Sequence, residues 1–113
     1  VQQIAVGEAF VLAEKLGLSD EALYDVVTGA TGNCWAIEAN CPVPGPQPTS
    51  PANNEFKPGF ATALMNKDLG LALDAIADTG SRAPLGEHAA ALYKSFAEQH
   101  ADFDFSAIIE TLR

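Results

Sequence analysis

Apolar residues recur at helical spacing along most of the chain, and no stretch alternates with the period of two that a half-buried strand requires. The first pattern runs from Val1 to Leu16, with Ile4, Ala5, Phe10 or Val11, Leu12 and Leu16 on its apolar side, and Gly17 is a good left-handed stop. Ser19 is placed to cap a second helix whose first turn carries Asp20 and Glu21, carboxylates that complement the positive helix end. Ala22, Leu23, Val26 and Val27 give that helix its buried face, and Gly29 and Gly32 end it. A short helix with Trp35 and Ile37 is predicted over Asn33 to Asn40. A long one follows from about Phe60 to about Asp78, stopped by Gly80. Pro84 suits the first turn of the next, striped by Leu85, Ala89, Leu92 and Phe96. Asp104 caps a last helix with Phe105, Ile108, Ile109 and Leu112 inward. The expected fold class is all-α, with about six helices.

One segment breaks the helical rhythm. Six of the seven prolines, Pro42, Pro44, Pro46, Pro48, Pro51 and Pro58, lie between Cys41 and Gly59. Proline lacks a donor N–H and disfavours helix at the residue before it, so a long irregular loop is expected. Loops of that length are usually functional or disordered. Within it, Asn53 and Asn54 can cap or bridge through their side chains. The start is also unusual. No Ser, Thr, Asp or Asn precedes the first helix, which opens mid-pattern on a hydrophobic residue. We read it as the remainder of a longer helix, with part of the function upstream.

The 113 residues make one domain, and a 48 % apolar content suffices for a core. The net charge of −9 argues against nucleic acid or an anionic membrane as partner, because both need a basic face. No apolar run is long enough to span a bilayer, and no signal peptide is visible. Two cysteines, Cys34 and Cys41, fit a reducing compartment better than a disulfide framework, although their pairing stays open. No His or Cys cluster has metal-ligand spacing, so no metal is expected.

Candidate chemistry is sparse. The serines sit near caps and turns, and Gly29-Ala30-Thr31-Gly32 follows a helix rather than a strand, which excludes a dinucleotide fingerprint. His88 reads as a core or surface histidine. Trp35 either fills the core or walls a ligand pocket beside the proline-rich loop. The long helix is the exception: Lys67 and Asp68 stand side by side in an apolar run, with Phe60, Leu64, Lys67 and Leu71 at i, i+4, i+7 and i+11 on one stripe. Such charges either reach solvent or face a site. Gly70 inside this helix costs about 1 kcal/mol against Ala, which predicts close approach of another element there. These residues alone do not form a complete active site.

Several segments together resemble the C-terminal domain of the 3-hydroxyisobutyrate dehydrogenases, within the β-hydroxyacid dehydrogenases. They are Gly32-Asn33-Cys34-Trp35, Asn40-Cys41-Pro42-Val43-Pro44-Gly45, Ala52-Asn53-Asn54, Pro58-Gly59-Phe60, Lys67-Asp68-Leu69-Gly70-Leu71-Ala72 and Asp104-Phe105-Ser106. The Cys-Trp element and the Pro-Val-Pro-Gly loop favour this branch over the tartronate semialdehyde and glyoxylate reductases, which, with a succinic semialdehyde reductase, stay the alternatives within the same family. The resemblance implies a helical domain of the 6-phosphogluconate dehydrogenase-like type. It also implies an upstream Rossmann domain and an interdomain helix that carries the catalytic lysine, so no catalytic residue lies in this chain. It assigns Lys67 to NAD, Asp68 to support of that lysine, and Phe60, Trp35 and Asn33 to the substrate pocket. The implied reaction is hydride transfer from the carbinol carbon of a 3-hydroxy acid to NAD, with the upstream lysine as general base. A homodimer or homotetramer is implied, in the bacterial cytoplasm or, for a eukaryotic protein, the mitochondrial matrix. A helical dimerisation module without ligand is the rival reading.

Overall fold

Local signals set most of the helix ends. The Ser19 hydroxyl accepts from the Ala22 N–H at 3.2 Å, and Gly17 and Gly80 take φ of +84° and +66°. At both glycines the next residue's N–H reaches five residues back, Leu18 to Ala13 O at 3.0 Å and Ser81 to Ile76 O at 3.2 Å. That closure ties off carbonyls that the last helical turn leaves free. The computed structural model describes all of Val1–Arg113. Its five α-helices are α1 (Gln2–Lys15), α2 (Asp20–Thr28), α3 (Trp35–Glu38), α4 (Thr62–Thr79) and α5 (Pro84–His100). Two 3₁₀ helices lie at Pro51–Asn54 and Phe105–Thr111. There is no strand, only an isolated bridge between Ala61 and Asp104. The expected all-α class is the observed one.

The core divides into two clusters. One is built on Ile4, Tyr93, Phe96, Phe105 and Ile108; the other on Phe10, Val11, Ile37, Val43 and Ile109. The C-terminal 3₁₀ helix runs between them, with every residue from Phe105 to Ile109 buried. Three residues per turn send neighbours to different sides, so Ile108 enters one cluster and Ile109 the other. The predicted amphipathic stripe is therefore a run buried all round. Phe56 packs against both clusters from the end of the proline-rich loop.

That loop is irregular except for the Pro51–Asn54 turn, yet it is internally bonded. Asn53 donates to Gln47 O at 2.7 Å and to Ser50 Oγ at 3.1 Å, while its Oδ1 accepts from the Gly45 N–H at 2.9 Å. It ends on two consecutive left-handed residues, Glu55 (φ 53°) and Phe56 (φ 55°), a conformation unfavourable for a bulky side chain. Cys34 and Cys41 are free thiols. Burial pushes the Cys41 thiol above its ordinary value.

α4 and α5 form an antiparallel hairpin that lengthens the molecule to 43 × 29 × 22 Å. Thr62 is the sole fully buried residue of α4, and Leu71 is 61 % exposed. The same holds for parts of other predicted faces: Leu12, Leu16, Val26 and Leu85 all face outward. One expectation is overturned here. A Cβ at Gly70 would meet nothing within 4 Å, so no element of this chain approaches it.

Candidate functional site

A cavity of about 300 Å³ opens where the N-terminal end of α1 meets α3, the first turn of α4, α5 and the C-terminal 3₁₀ helix. Its walls are Val1, Gln2, Gln3, Trp35, Ala36, Met65, Tyr93 and Phe105. That volume lies at the lower end of the range for small-molecule sites, which are about 300–1,000 Å³ and mostly apolar with a few placed polar groups.

Phe105 organises the walls. Its ring stacks on Trp35, with centroids 6.3 Å apart and planes 6° from parallel. Phe60 meets it edge to face at 5.8 Å, and Tyr93 lies at 6.2 Å. The Tyr93 hydroxyl donates to Phe105 O at 2.9 Å, which fixes the backbone behind the ring. Burial raises the Tyr93 phenol above its ordinary value, and the Asp104 carboxylate adds to the shift. Trp35 remains 59 % exposed, so it is a wall and not a core filler.

Behind the aromatic wall lies a polar network that ties distant segments together. Asp104, 1 % exposed, receives five hydrogen bonds. Its Oδ1 accepts from the Gly59 and Phe60 N–H groups at 3.1 and 3.0 Å. Its Oδ2 accepts from Asn40 Nδ2 at 3.2 Å, from the Ser106 N–H at 3.0 Å and from Ser106 Oγ. Asn40 also donates to Gln3 Oε1 at 3.1 Å, and Gln3 Nε2 returns to Ala36 O and Asn40 O at 3.4 and 3.3 Å. Backbone bonds run alongside, from the Asp104 N–H to Phe56 O at 2.8 Å and from the Phe105 N–H to Phe60 O at 3.0 Å.

The candidates read from the sequence divide accordingly. Trp35 lines the cavity, whereas Phe60 does not and only meets the wall residue Phe105 edge to face. Asn33 lies outside it, half-buried, with its Oδ1 unpartnered. Lys67 and Asp68 are exposed on α4 and line no cavity. Neither enters an ion pair; the two salt bridges both belong to Arg113, with Glu14 at 3.0 Å and Glu110 at 2.6 Å. Lys67 is therefore a free cation on an acidic molecule, two residues past the cavity residue Met65. Sequence reasoning missed Gln3, Met65 and Tyr93 as wall residues and the buried Gln3–Asn40–Asp104 link. A buried polar side chain on an otherwise apolar helix face was the available signal at Gln3.

Residues 1–112 match the model of a family described as the NAD-binding domain of NADP-dependent 3-hydroxyisobutyrate dehydrogenase. The chain belongs to this family. Among its relatives, a probable 3-hydroxyisobutyrate dehydrogenase of Mycobacterium bovis is 75 % identical over 113 residues, covering all of this chain and 38 % of that protein. The mitochondrial 3-hydroxyisobutyrate dehydrogenase of Homo sapiens is 36 % identical, over all of this chain and 34 % of that protein. A solved structure of the Mycobacterium tuberculosis 3-hydroxyisobutyrate dehydrogenase, described with L-serine, superposes with a TM-score of 0.98 at 75 % identity. It matches 99 % of this chain and 38 % of that one. The chain thus spans under two-fifths of the length of these family members. No helix is long and apolar enough to cross a membrane.

Proposed function

We propose that this chain is the helical domain of an NAD(P)-dependent 3-hydroxyisobutyrate dehydrogenase, working with a Rossmann domain that precedes α1 in the whole enzyme. The observation that carries the reading is identity of 75 % along the entire chain to a protein of that name. The cavity fits it chemically. Its aromatic and methionine walls suit a flat, weakly polar ring such as nicotinamide, and its small volume suits a short acid beside that ring. A nicotinamide held there would supply the hydride acceptor for the carbinol carbon. The role of this chain is to bind, orient and keep water out. Trp35 and Phe105 cover one face of the cleft, Phe60 braces Phe105, and Lys67 offers a mobile ammonium to cofactor oxygens. Asp68, one residue on and exposed on α4, is assigned to orienting the catalytic lysine supplied by the preceding helix. Asn33 is the weakest member of the set, since it does not line the cavity.

The substrate is a short 3-hydroxy acid, 3-hydroxyisobutyrate first. L-Serine on the Mycobacterium tuberculosis relative is itself a 3-hydroxy acid with an ammonium in place of the methyl group, which favours a second reading of broader hydroxy-acid use. The outward apolar residues Leu12, Leu16, Leu71 and Leu85 suit subunit and domain contacts in a homodimer or homotetramer. The 75 % relatives are bacterial, and we place the enzyme in the cytoplasm, on the route by which valine carbon is oxidised.

The test is kinetic and uses the complete enzyme with NAD and NADP against a panel of short hydroxy acids. Lys67→Ala is expected to raise the dissociation constant for the cofactor by about tenfold, or about 1.4 kcal/mol. Stability should change by less than about 0.5 kcal/mol, because the side chain is exposed and unpaired. Equal affinity in mutant and wild type would remove the role given to Lys67. Absence of turnover on every hydroxy acid would remove the function.

A further inference from the structure

We propose that Asp104 is a positioning residue for the cleft, holding its two sides in register without touching substrate; the inference rests on the dehydrogenase reading above. Each carboxylate oxygen serves one side. Oδ1 holds the Gly59 and Phe60 N–H groups, and so the ring of Phe60 and the chain that enters α4 one residue after Ala61. Oδ2 holds Asn40, whose side chain also donates to Gln3 of the cavity wall and whose backbone N–H donates to Trp35 O at 3.1 Å. Between them, Asp104 is the backbone neighbour of Phe105, the ring on which Trp35 and Phe60 both rest. The segments it joins are 44 and 64 residues away in sequence.

A carboxylate is required for this. All five partners are donors: two on Oδ1 and three on Oδ2. An asparagine has one acceptor oxygen and one donating amide. In either flip it sets an N–H against donors, toward Gly59 and Phe60 or toward Asn40 and Ser106. One side of the cleft is then released while side-chain volume is unchanged. No cation pairs with Asp104, so its charge is held by hydrogen bonds alone, an arrangement in which each bond to the ionised group is stronger than a neutral one.

The experiment compares Asp104→Asn and Asn40→Ala with Phe10→Leu in the complete enzyme. Asn40→Ala cuts the Gln3 side alone and is the milder variant should the first fail to fold. Phe10→Leu lowers stability from the other cluster without touching the network. Displacing a wall that binds ground state and transition state alike raises KM and leaves kcat nearly unchanged. Asp104→Asn is expected to raise KM for 3-hydroxyisobutyrate about tenfold or more with kcat within about threefold, and Asn40→Ala to raise it about threefold. Phe10→Leu should lower the melting temperature with KM unchanged. A KM in Asn40→Ala and in any folded Asp104→Asn equal to that of Phe10→Leu would overturn the positioning role and leave the dehydrogenase reading intact. A wild-type enzyme inert toward hydroxy acids would instead overturn that reading.

Discussion

Tyr93→Phe separates two effects of one buried hydroxyl. The side chain is 1 % exposed and its OH donates to Phe105 O at 2.9 Å. At neutral pH the phenol is protonated in both the folded and unfolded chain, so the substitution removes one buried hydrogen bond, worth about 1 kcal/mol net. At alkaline pH the sign changes. The folded-state pKa is raised above the unfolded one, so the unfolded chain releases this proton first and wild-type stability is lost as pH rises past about 10. The loss grows to about 1.4 kcal/mol for each further pH unit until the buried phenol itself ionises. Phenylalanine has no proton to release. The two stability curves should therefore cross between about pH 10.5 and 11, where the linkage loss equals the hydrogen-bond term. Urea unfolding followed by far-ultraviolet circular dichroism at intervals from pH 7 to that region measures both curves. Cys41, whose thiol is also raised by burial, depresses the two proteins equally and drops out of the difference. A gap that stays constant through the alkaline range would refute the buried-phenol argument.

Two further substitutions test the packing. Gly70→Ala lies mid-helix with space for its methyl group, so it should stabilise the chain by about 1 kcal/mol and raise its melting temperature by several degrees; a lower melting temperature would mean that α4 has a neighbour at that point. Ile109→Ala empties a wholly buried site in the second cluster and should cost about 2–5 kcal/mol by chemical denaturation; a cost under about 1 kcal/mol would show that the C-terminal 3₁₀ helix is not the divider between the clusters.

What could be read from the chain followed the range of the forces involved. Ser19, Gly17, Gly80, Pro84 and Asp104 act on their own helix ends, and each stands where local chemistry placed it. The aromatic wall was half legible, because Trp35 and Phe60 sit in recognisable segments while Phe105, the ring that unites them, read as a core residue. Leu71 and Leu85 mark apolar faces, but spacing does not say whether anything covers a face. Gly70 misled for the same reason: a glycine that would cost stability inside a packed helix sits on an open one. The Gln3–Asn40–Asp104 network joins positions 37 and 64 residues apart, beyond any local pattern. Its Asp104 looked like a simple cap, and it is one, with Ser106 as the capped residue.

Trp35 is the single tryptophan of the chain, and it stands on the rim of the cavity, with one face on Phe105 and much of the ring in water. Its indole emission is thus a built-in optical reporter of that cleft. A molecule that enters should quench or shift the signal, and titrations would need no attached dye.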